Sequence, residues 1–199
     1  MQGLRAIQPK SFVPKTTNSR HTLGYNSNLL ASAKPPERIN QIWVADITSL
    51  PLRTGAFAYL ASLMDLFSRR IVGWALADQM AKALVLDALH QAIRGRQPPA
   101  NLIHHSDRGG QYAGQEYRGV LRRAAMRQSM SRAANCDDNA FMESCFGTIK
   151  TELEMTEYDH GTHARTEIAE YIPYYNTERR HSSIDYLSPG SATLSFKAD

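Results

Sequence analysis

Between residues 41 and 180 the apolar positions change period several times, and each change predicts an element. "QIWVADITSL" (41–50) alternates loosely and is rich in β-formers, which predicts a strand. "AFAYLASLMDLFS" (56–68) is apolar at most positions, as in a strand covered on both faces. "RRIVGWALA" (69–77) predicts a third strand, and the short connections make the three an antiparallel meander. Over 82–96 the period lengthens. Leu84, Leu86, Leu89, Ala92 and Ile93 fall near helical spacing, with Gly95 at the end. "NLIHHS" (101–106) predicts a short strand, added in parallel because a helix precedes it. A helix over 113–126 and a short strand over 127–131 follow. The helical period is clearest over 137–155, where Met142, Phe146, Ile149 and Leu153 form one stripe and Asp137, Asp138 and Asn139 offer N-cap chemistry. A last helix is predicted over 163–180, with Ile168, Tyr171, Ile172 and Tyr175 on one side and Pro173 expected to bend or split it. Beyond His181 the pattern is irregular.

The order β-β-β-α-β-α-β-α-α predicts an α/β layered domain: a mixed sheet of three antiparallel strands and then parallel additions, flanked by helices. Such sheets place ligands at the carboxyl ends of their strands. Residues 1–40 are rich in Ser, Thr, Asn, Pro, Lys and Arg and show little periodicity, so they are expected to form an extended arm. The expected organisation is a basic arm (1–40), a core (41–160), and a C-terminal helix with a tail (161–199).

Charge sharpens this outline. The net charge is +4, but residues 1–40 alone carry six Lys/Arg against the single acid Glu37. A second basic cluster, Arg118, Arg122, Arg123, Arg127 and Arg132, contains no acid among its members. Basic arms and stripes are the electrostatic footprint of nucleic-acid binding, although arms are also often basic for solubility alone. The longest nearly apolar run, "FAYLASLM", is far short of the ~20 residues of a membrane span. The first ten residues lack the apolar stretch of a signal peptide. Cys136 and Cys145 form no C-x-x-C pair, so neither a disulfide framework nor a zinc site is expected. The expected setting is the reducing cytoplasm, with no membrane partner.

Three carboxylates stand out. Asp46 lies inside the first predicted strand, beside Val44, Ala45 and Ile47, where an acid is costly unless paired or coordinated. Asp107 closes the fourth predicted strand, ahead of Gly109-Gly110. Glu143 lies off the apolar stripe of its helix, on a face shared with Asn139, Gly147 and Lys150. Singly, each has an ordinary reading: a salt-bridged core aspartate, a turn aspartate, a surface helix acid. Together, at element ends, they would suit Mg²⁺ or Mn²⁺, which bind carboxylate oxygens and substrate phosphates. A pair of such ions can serve an in-line displacement at phosphorus. His105-x-Asp107 could instead begin a 2-His-1-carboxylate iron site, completed by His160, His163 or His181. The helices predicted after residue 113 argue against the β-helix such a site requires, and His104 and His105 fit structural or DNA-facing roles better.

"WVADIT", "HSDRGGQY", "NCDDNAFMESCFGTIKTEL" and "YYNTERRHSSIDYLSP" resemble the integrase-core region of bacterial insertion-sequence transposases. The group is the one whose transposase is made by fusing two reading frames and whose core is related to retroviral integrases. The resemblance covers about residues 1 to 190 and implies an RNase H-like fold with a D, D, 35, E triad. Here Asp107 and Glu143 have 35 residues between them, and Asp46 stands at the first acid. By the resemblance, Asp46 and Asp107 hold the metals, two Mg²⁺ or Mn²⁺ ions, and Glu143 completes the site. Asn139 and Lys150 face DNA near the scissile phosphate, with Arg108, Arg122, Arg179 and Arg180 completing the expected DNA-binding set. The implied activity is metal-dependent cleavage and strand transfer at element ends by a homo-oligomer on DNA, with the upstream-frame helix-turn-helix protein as a further partner. A plain nuclease and a non-catalytic DNA-binding remnant are the rival readings. Two features depart from the family. The chain starts near the end of the usual helix-turn-helix region, and Cys145 stands where an aromatic residue is more common, on the buried side of the helix.

Overall fold

The computed structural model describes residues 21–132, 139–153 and 157–195. Its centre is a five-stranded sheet of order β3-β2-β1-β4-β5, with β1 Ile42–Pro51, β2 Phe57–Asp65, β3 Ile71–Ala77, β4 Ile103–Ser106 and β5 Arg127–Met130. β1, β2 and β3 pair antiparallel, while β1-β4 and β4-β5 pair parallel. This is the predicted mixed sheet. The meander arises because short turns can join only antiparallel neighbours, and α1 (Lys82–Arg96) is the crossover that lets β4 enter parallel to β1.

The period-two alternation of β1 divides its side chains between two cores. Trp43, Ala45 and Ile47 pack with Leu84, Ala88 and Leu89 of α1 and with Tyr117 and Leu121 of α3 (Gln115–Arg123). Ile42, Val44 and Leu50 face the other way, toward Met142, Phe146 and Ile149 of α4 (Ala140–Glu152) and Ile168, Tyr171 and Tyr175 of α5 (Gly161–Thr177). The stripe predicted for α4 is therefore the seam that seats this helix on the sheet, with Cys145 buried beside it. Burial pushes the Cys145 thiol up to about 11, and its Sγ lies 3.6 Å from the Tyr175 hydroxyl.

Several predicted elements are corrected. The helix expected over 113–126 is two pieces, α2 Gly110–Ala113 and α3, because Gly114 adopts an extended backbone between them. The strand expected over 56–68 stops at Asp65, where the chain turns through Arg69 at φ 60°. α4 begins at Ala140, one residue after Asn139, and Asn139 makes no side-chain cap hydrogen bond; Asp137, Asp138 and Cys136 lie outside the described residues. Pro173 does not split α5 into separate helices; it sits exposed within one continuous helix. The end expected to be irregular contains a 3-10 turn, Ser182–Ile184, and a helix α6, Pro189–Ser195. Ser188 accepts from the amide of Ser191 at 3.2 Å, and proline occupies the first helical position, a start signal present in the sequence.

Residues 21–32 lie along the outer edge of β5. The amide of Met130 donates to Ser27 O, that of Leu29 donates to Ser129 Oγ, and Asn26 Nδ2 donates to Gln128 Oε1 at 2.6 Å. A covered edge cannot recruit foreign strands. On the opposite flank of the sheet, Asn176 of α5 clasps β3 by exchanging bonds with the amide and carbonyl of Ile71 at 2.9 and 3.0 Å.

Gly73 shows how closely α1 packs on β3. A Cβ there would stand 2.3 Å from the Ala88 carbonyl oxygen and 2.8 Å from Ala92 Cβ. The obstacle is helix backbone, which cannot rotate aside. Gly73→Ala is expected to cost about 3 kcal/mol in urea unfolding, the upper end of overpacking penalties; a loss near zero would mean that α1 can shift freely.

Candidate active site

The parallel pairing of β1 with β4 brings two of the acids together. Ala45 pairs with Ser106, so Asp46 and Asp107 are the next residues along two neighbouring strands, which run ~4.8 Å apart. In the alternation of β1, Asp46 belongs with Ile42 and Val44, on the α4 side of the sheet. Glu143 sits exposed in the first turn of α4, pointing off the stripe that docks the helix. Asp46 feels the charges of the other two. Burial raises the Asp46 carboxyl most, the charge of Asp107 raises it further, and Glu143 adds to this; the Ile47 amide, donating to Asp46 Oδ1 at 2.8 Å, opposes them. The outcome is a carboxyl pushed up to about 8. Among the described residues, however, no three His, Cys, Asp or Glu side chains stand close enough to hold a metal ion as they are.

Asp107 is held by its own turn. Its Oδ1 accepts from the Gly109 amide at 2.8 Å. A Cβ on Gly109 would come within 3.0 Å of that same oxygen and 2.9 Å of Gln111 Oε1. The glycine therefore lets the backbone close around the carboxylate.

The histidines are structural. His105 is fully buried between Ser129 Oγ (2.8 Å) and Ser131 Oγ (3.2 Å), so neither ring nitrogen is turned to a ligand. His104 Nε2 lies 2.8 Å from the Tyr117 hydroxyl, and burial, with His105 beside it, pushes its imidazolium down to about 3. These contacts answer the iron-site alternative.

The six expected DNA contacts differ in setting. Asn139, at the start of α4, is 7% exposed, and its Oδ1 has no hydrogen-bond partner among the described residues. Lys150 lies two helical turns from Glu143, ~10 Å along the axis, half-buried, with its ammonium lowered by burial. Arg122 and Arg180 are exposed. Arg179 is engaged inside the fold, with its Nε on Glu152 Oε1 at 2.7 Å. Arg108 donates through Nε to the Ser131 carbonyl at 2.6 Å and stacks over Tyr25 at 4.9 Å. It thereby fastens the strap of residues 21–32 beside Asp107.

Two neighbours of the acids are not apparent from the sequence pattern. Ser62 pairs with Asp46 across β1 and β2, fully buried, with no hydrogen-bond partner for its hydroxyl among the described residues. Tyr112 is 2% exposed, and its hydroxyl likewise has no partner among the described residues. Burial above all, then Tyr117, Asp46 and Asp107, keep its phenol neutral far above the usual range. The tyrosine of "HSDRGGQY" carried a clue, since it follows Asp107 by five residues across a turn.

Known proteins are similar to this chain in sequence and in fold. Two family models, each described as Integrase core domain, match residues 36–136 and 124–189. The chain is 43% identical over 190 residues to the insertion element IS600 uncharacterized 31 kDa protein of Shigella sonnei, across 94% of this chain and 69% of that protein. It is 40% identical over 182 residues to the transposase for insertion sequence element IS904 of Lactococcus lactis subsp. lactis, across 86% and 72%. It is also 40% identical over 195 residues to transposase InsF for insertion sequence IS3A of Escherichia coli strain K12, across 94% and 65%. The chain thus spans about two thirds of the length of these relatives. Among solved structures, the fold is similar to the HTLV-2 integrase catalytic core domain in complex with magnesium, at TM-score 0.63 and 17% identity over 79% of this chain and 98% of that one. It is also similar to a chain of the simian T-cell lymphotropic virus intasome in complex with PP2A regulatory subunit B56 gamma, at TM-score 0.67 and 17% identity over 89% and 61%. With these matches over a mixed five-stranded sheet, the chain belongs to the integrase core domain family, in the branch that contains insertion-sequence transposases.

Proposed function

We propose that this chain is the catalytic core that cuts and joins DNA in transposition, with Asp46, Asp107 and Glu143 as its reactive carboxylates. The observation that carries this reading is the strand register that sets Asp46 beside Asp107, where burial, then Asp107 and Glu143, push the Asp46 carboxyl up to about 8. Uncompensated crowding of this kind is costly, and a divalent cation relieves it. The donors are all carboxylate oxygens, as Mg²⁺ and Mn²⁺ prefer. The residues present therefore fit a divalent site: Asp46 and Asp107 would hold two ions, and Glu143 would close the set. When bound, such ions polarise the phosphate and lower the pKa of the attacking oxygen.

The chain's own residues then have distinct tasks. Asp46 would give up its proton when an ion binds and would then serve as a charged ligand. The turn of Asp107, Arg108 and Gly109 holds its carboxylate at the strand end. Asn139 and Lys150, on the Glu143 face of α4, orient the DNA backbone, and Arg122 and Arg180 extend the basic surface. In the first reaction a water oxygen bonds to phosphorus as the bond to the 3′ oxygen breaks; that oxygen takes a proton and leaves as a hydroxyl. In the second, this 3′ hydroxyl loses its proton and bonds to the phosphorus of another phosphodiester as the bond from that phosphorus to its own 3′ oxygen breaks; the displaced oxygen takes a proton and leaves as a hydroxyl. No covalent link to the protein is needed. The chain would act in the cytoplasm as a homo-oligomer on DNA, with the upstream-frame helix-turn-helix protein supplying end recognition. The basic arm 1–40, core 41–160 and C-terminal 161–199 remain the proposed division of labour.

The test is an assay on a precleaved element-end duplex with Mn²⁺, using the full chain and Glu143→Gln. Joined products are expected from the wild type and none from the variant. Nicks without joining would make the chain a nuclease. Full activity in Glu143→Gln would remove the site assignment.

A further inference from the structure

α4 has a second working flank. Asn139, Glu143 and Lys150 share one face, but Ser144 and Thr148 line a cleft of about 250 Å³ on the other side, together with Met64, Arg69, His181 and Ser183. Among the described residues no carboxylate lines this cleft. Its lining is apolar at Met64, Ala140 and Phe141 and carries one guanidinium, one imidazole and the four hydroxyls of Ser144, Thr148, Tyr175 and Ser183, a donor set for an anion.

Arg69 is the focus. It follows β2 at φ 60°, a left-handed conformation that a non-glycine residue seldom adopts. Its guanidinium carbon lies 4.7 Å above the Phe141 ring, and its Nε is buried with no hydrogen-bond partner among the described residues. An unpaired buried donor is costly unless something supplies the acceptor. Burial lowers the Arg69 guanidinium, with Tyr175 and Asp65 opposing, but neither Asp65 nor Glu152 hydrogen-bonds to it. Asp65 accepts from Asn40 N, Ser68 N and Ser68 Oγ, and Glu152 holds Arg179 and the Tyr171 hydroxyl. His181 reports the positive field of the cleft: burial, then Arg179 and Arg69, push its imidazolium down to about 4 against the opposing pull of Glu152.

We propose that this cleft binds a phosphodiester of the DNA backbone, with Arg69 as its principal cation and His181, Ser144, Thr148 and Ser183 as supporting donors. The proposal rests on the reading of this chain as a DNA-processing core. Ser144 follows Glu143 directly, so the two sites are separated by about one helix diameter, ~10 Å. That corresponds to about three nucleotide steps along a strand. α4 would then grip DNA on both flanks, with chemistry on one and register on the other.

The experiment measures binding of the full chain to a duplex of about two helical turns, without divalent metal, across a salt series. Arg69→Gln is expected to lower the steepness of log K against log salt by about one, the loss of one phosphate contact, for every duplex sequence. An unchanged slope in a folded variant overturns the proposal. Because Arg69→Gln could disturb the turn, the wild-type chain gives a second readout. The His181 ring is titrated by NMR with and without saturating duplex, and its midpoint is expected to rise by at least about one pH unit as an anion offsets the local positive charge. No change at His181 overturns the proposal, as does a rise caused by inorganic phosphate and not by duplex. Strand joining measured alongside keeps the readings apart: a wild type that binds through the cleft but joins nothing counts against catalysis, not against this site.

Discussion

Asp46→Asn is expected to lower metal-dependent cleavage and joining by roughly a thousandfold while making the metal-free chain more stable at pH 8. Loss of activity alone would fit any damaged site; the opposite sign in stability is the informative part. The folded Asp46 carboxyl titrates near 8, against 3.8 for the free group. Between those values the folded chain keeps a proton that the unfolded chain has released. The contribution of this carboxyl to stability is therefore complete below about pH 4 and is lost as pH rises toward 8. Asparagine cannot ionise and does not incur that loss. Thermal melting without metal should show the wild type falling behind the variant between pH 5 and 8, by on the order of a few kcal/mol. Saturating Mn²⁺ should reverse the order, since only the wild type gains from the ion. Parallel pH curves for the two proteins would mean that Asp46 is an ordinary paired aspartate.

Metal affinity should depend on pH for the same reason. Loading must displace the Asp46 proton, so Mn²⁺ binding should weaken about tenfold per pH unit below 8, or ~100-fold from pH 8 to pH 6. Calorimetry in buffers of different ionisation enthalpy should find about one proton released per chain at pH 6. The trio is not already gathered into a ligand set, so part of the binding energy is expected to go into drawing Glu143 toward the strand ends. A flat affinity across this range would mean that the ions do not meet Asp46.

Comparison of two aspartates shows where sequence reading stops. Asp46 in "WVADIT" and Asp65 in "LMDLFS" both interrupt apolar strands. Asp65 is fully buried and accepts three hydrogen bonds, from Asn40 N, Ser68 N and Ser68 Oγ, and so serves the turn after β2. Asp46 accepts from the amide of the next residue along its own strand and feels the charges of two other acids. Nothing in the local pattern separates them; the partners come from strands and turns distant in sequence. Arg69 and Arg179 make the same point from the basic side. Both stand beside a second arginine in the sequence, yet Arg179 Nε meets Glu152 at 2.7 Å while Arg69 Nε is buried with no hydrogen-bond partner among the described residues.

What the sequence determined by itself is local and periodic. Alternation in β1, the apolar run of β2 and the 4-3-4 stripe of α4 each specify an element and its buried face, because backbone geometry turns spacing directly into direction. The linked motifs likewise carried the family, and the order of elements carried the mixed sheet. Only the tertiary structure decided which polar groups end up satisfied. The register that sets Asp46 beside Asp107, the Asn176 clasp on β3, the strap over β5 and the continuity of α5 through Pro173 all depend on contacts between segments far apart in the chain. Burial and charge act through space, and the pKa of Asp46 is a sum over neighbours that no window of sequence contains.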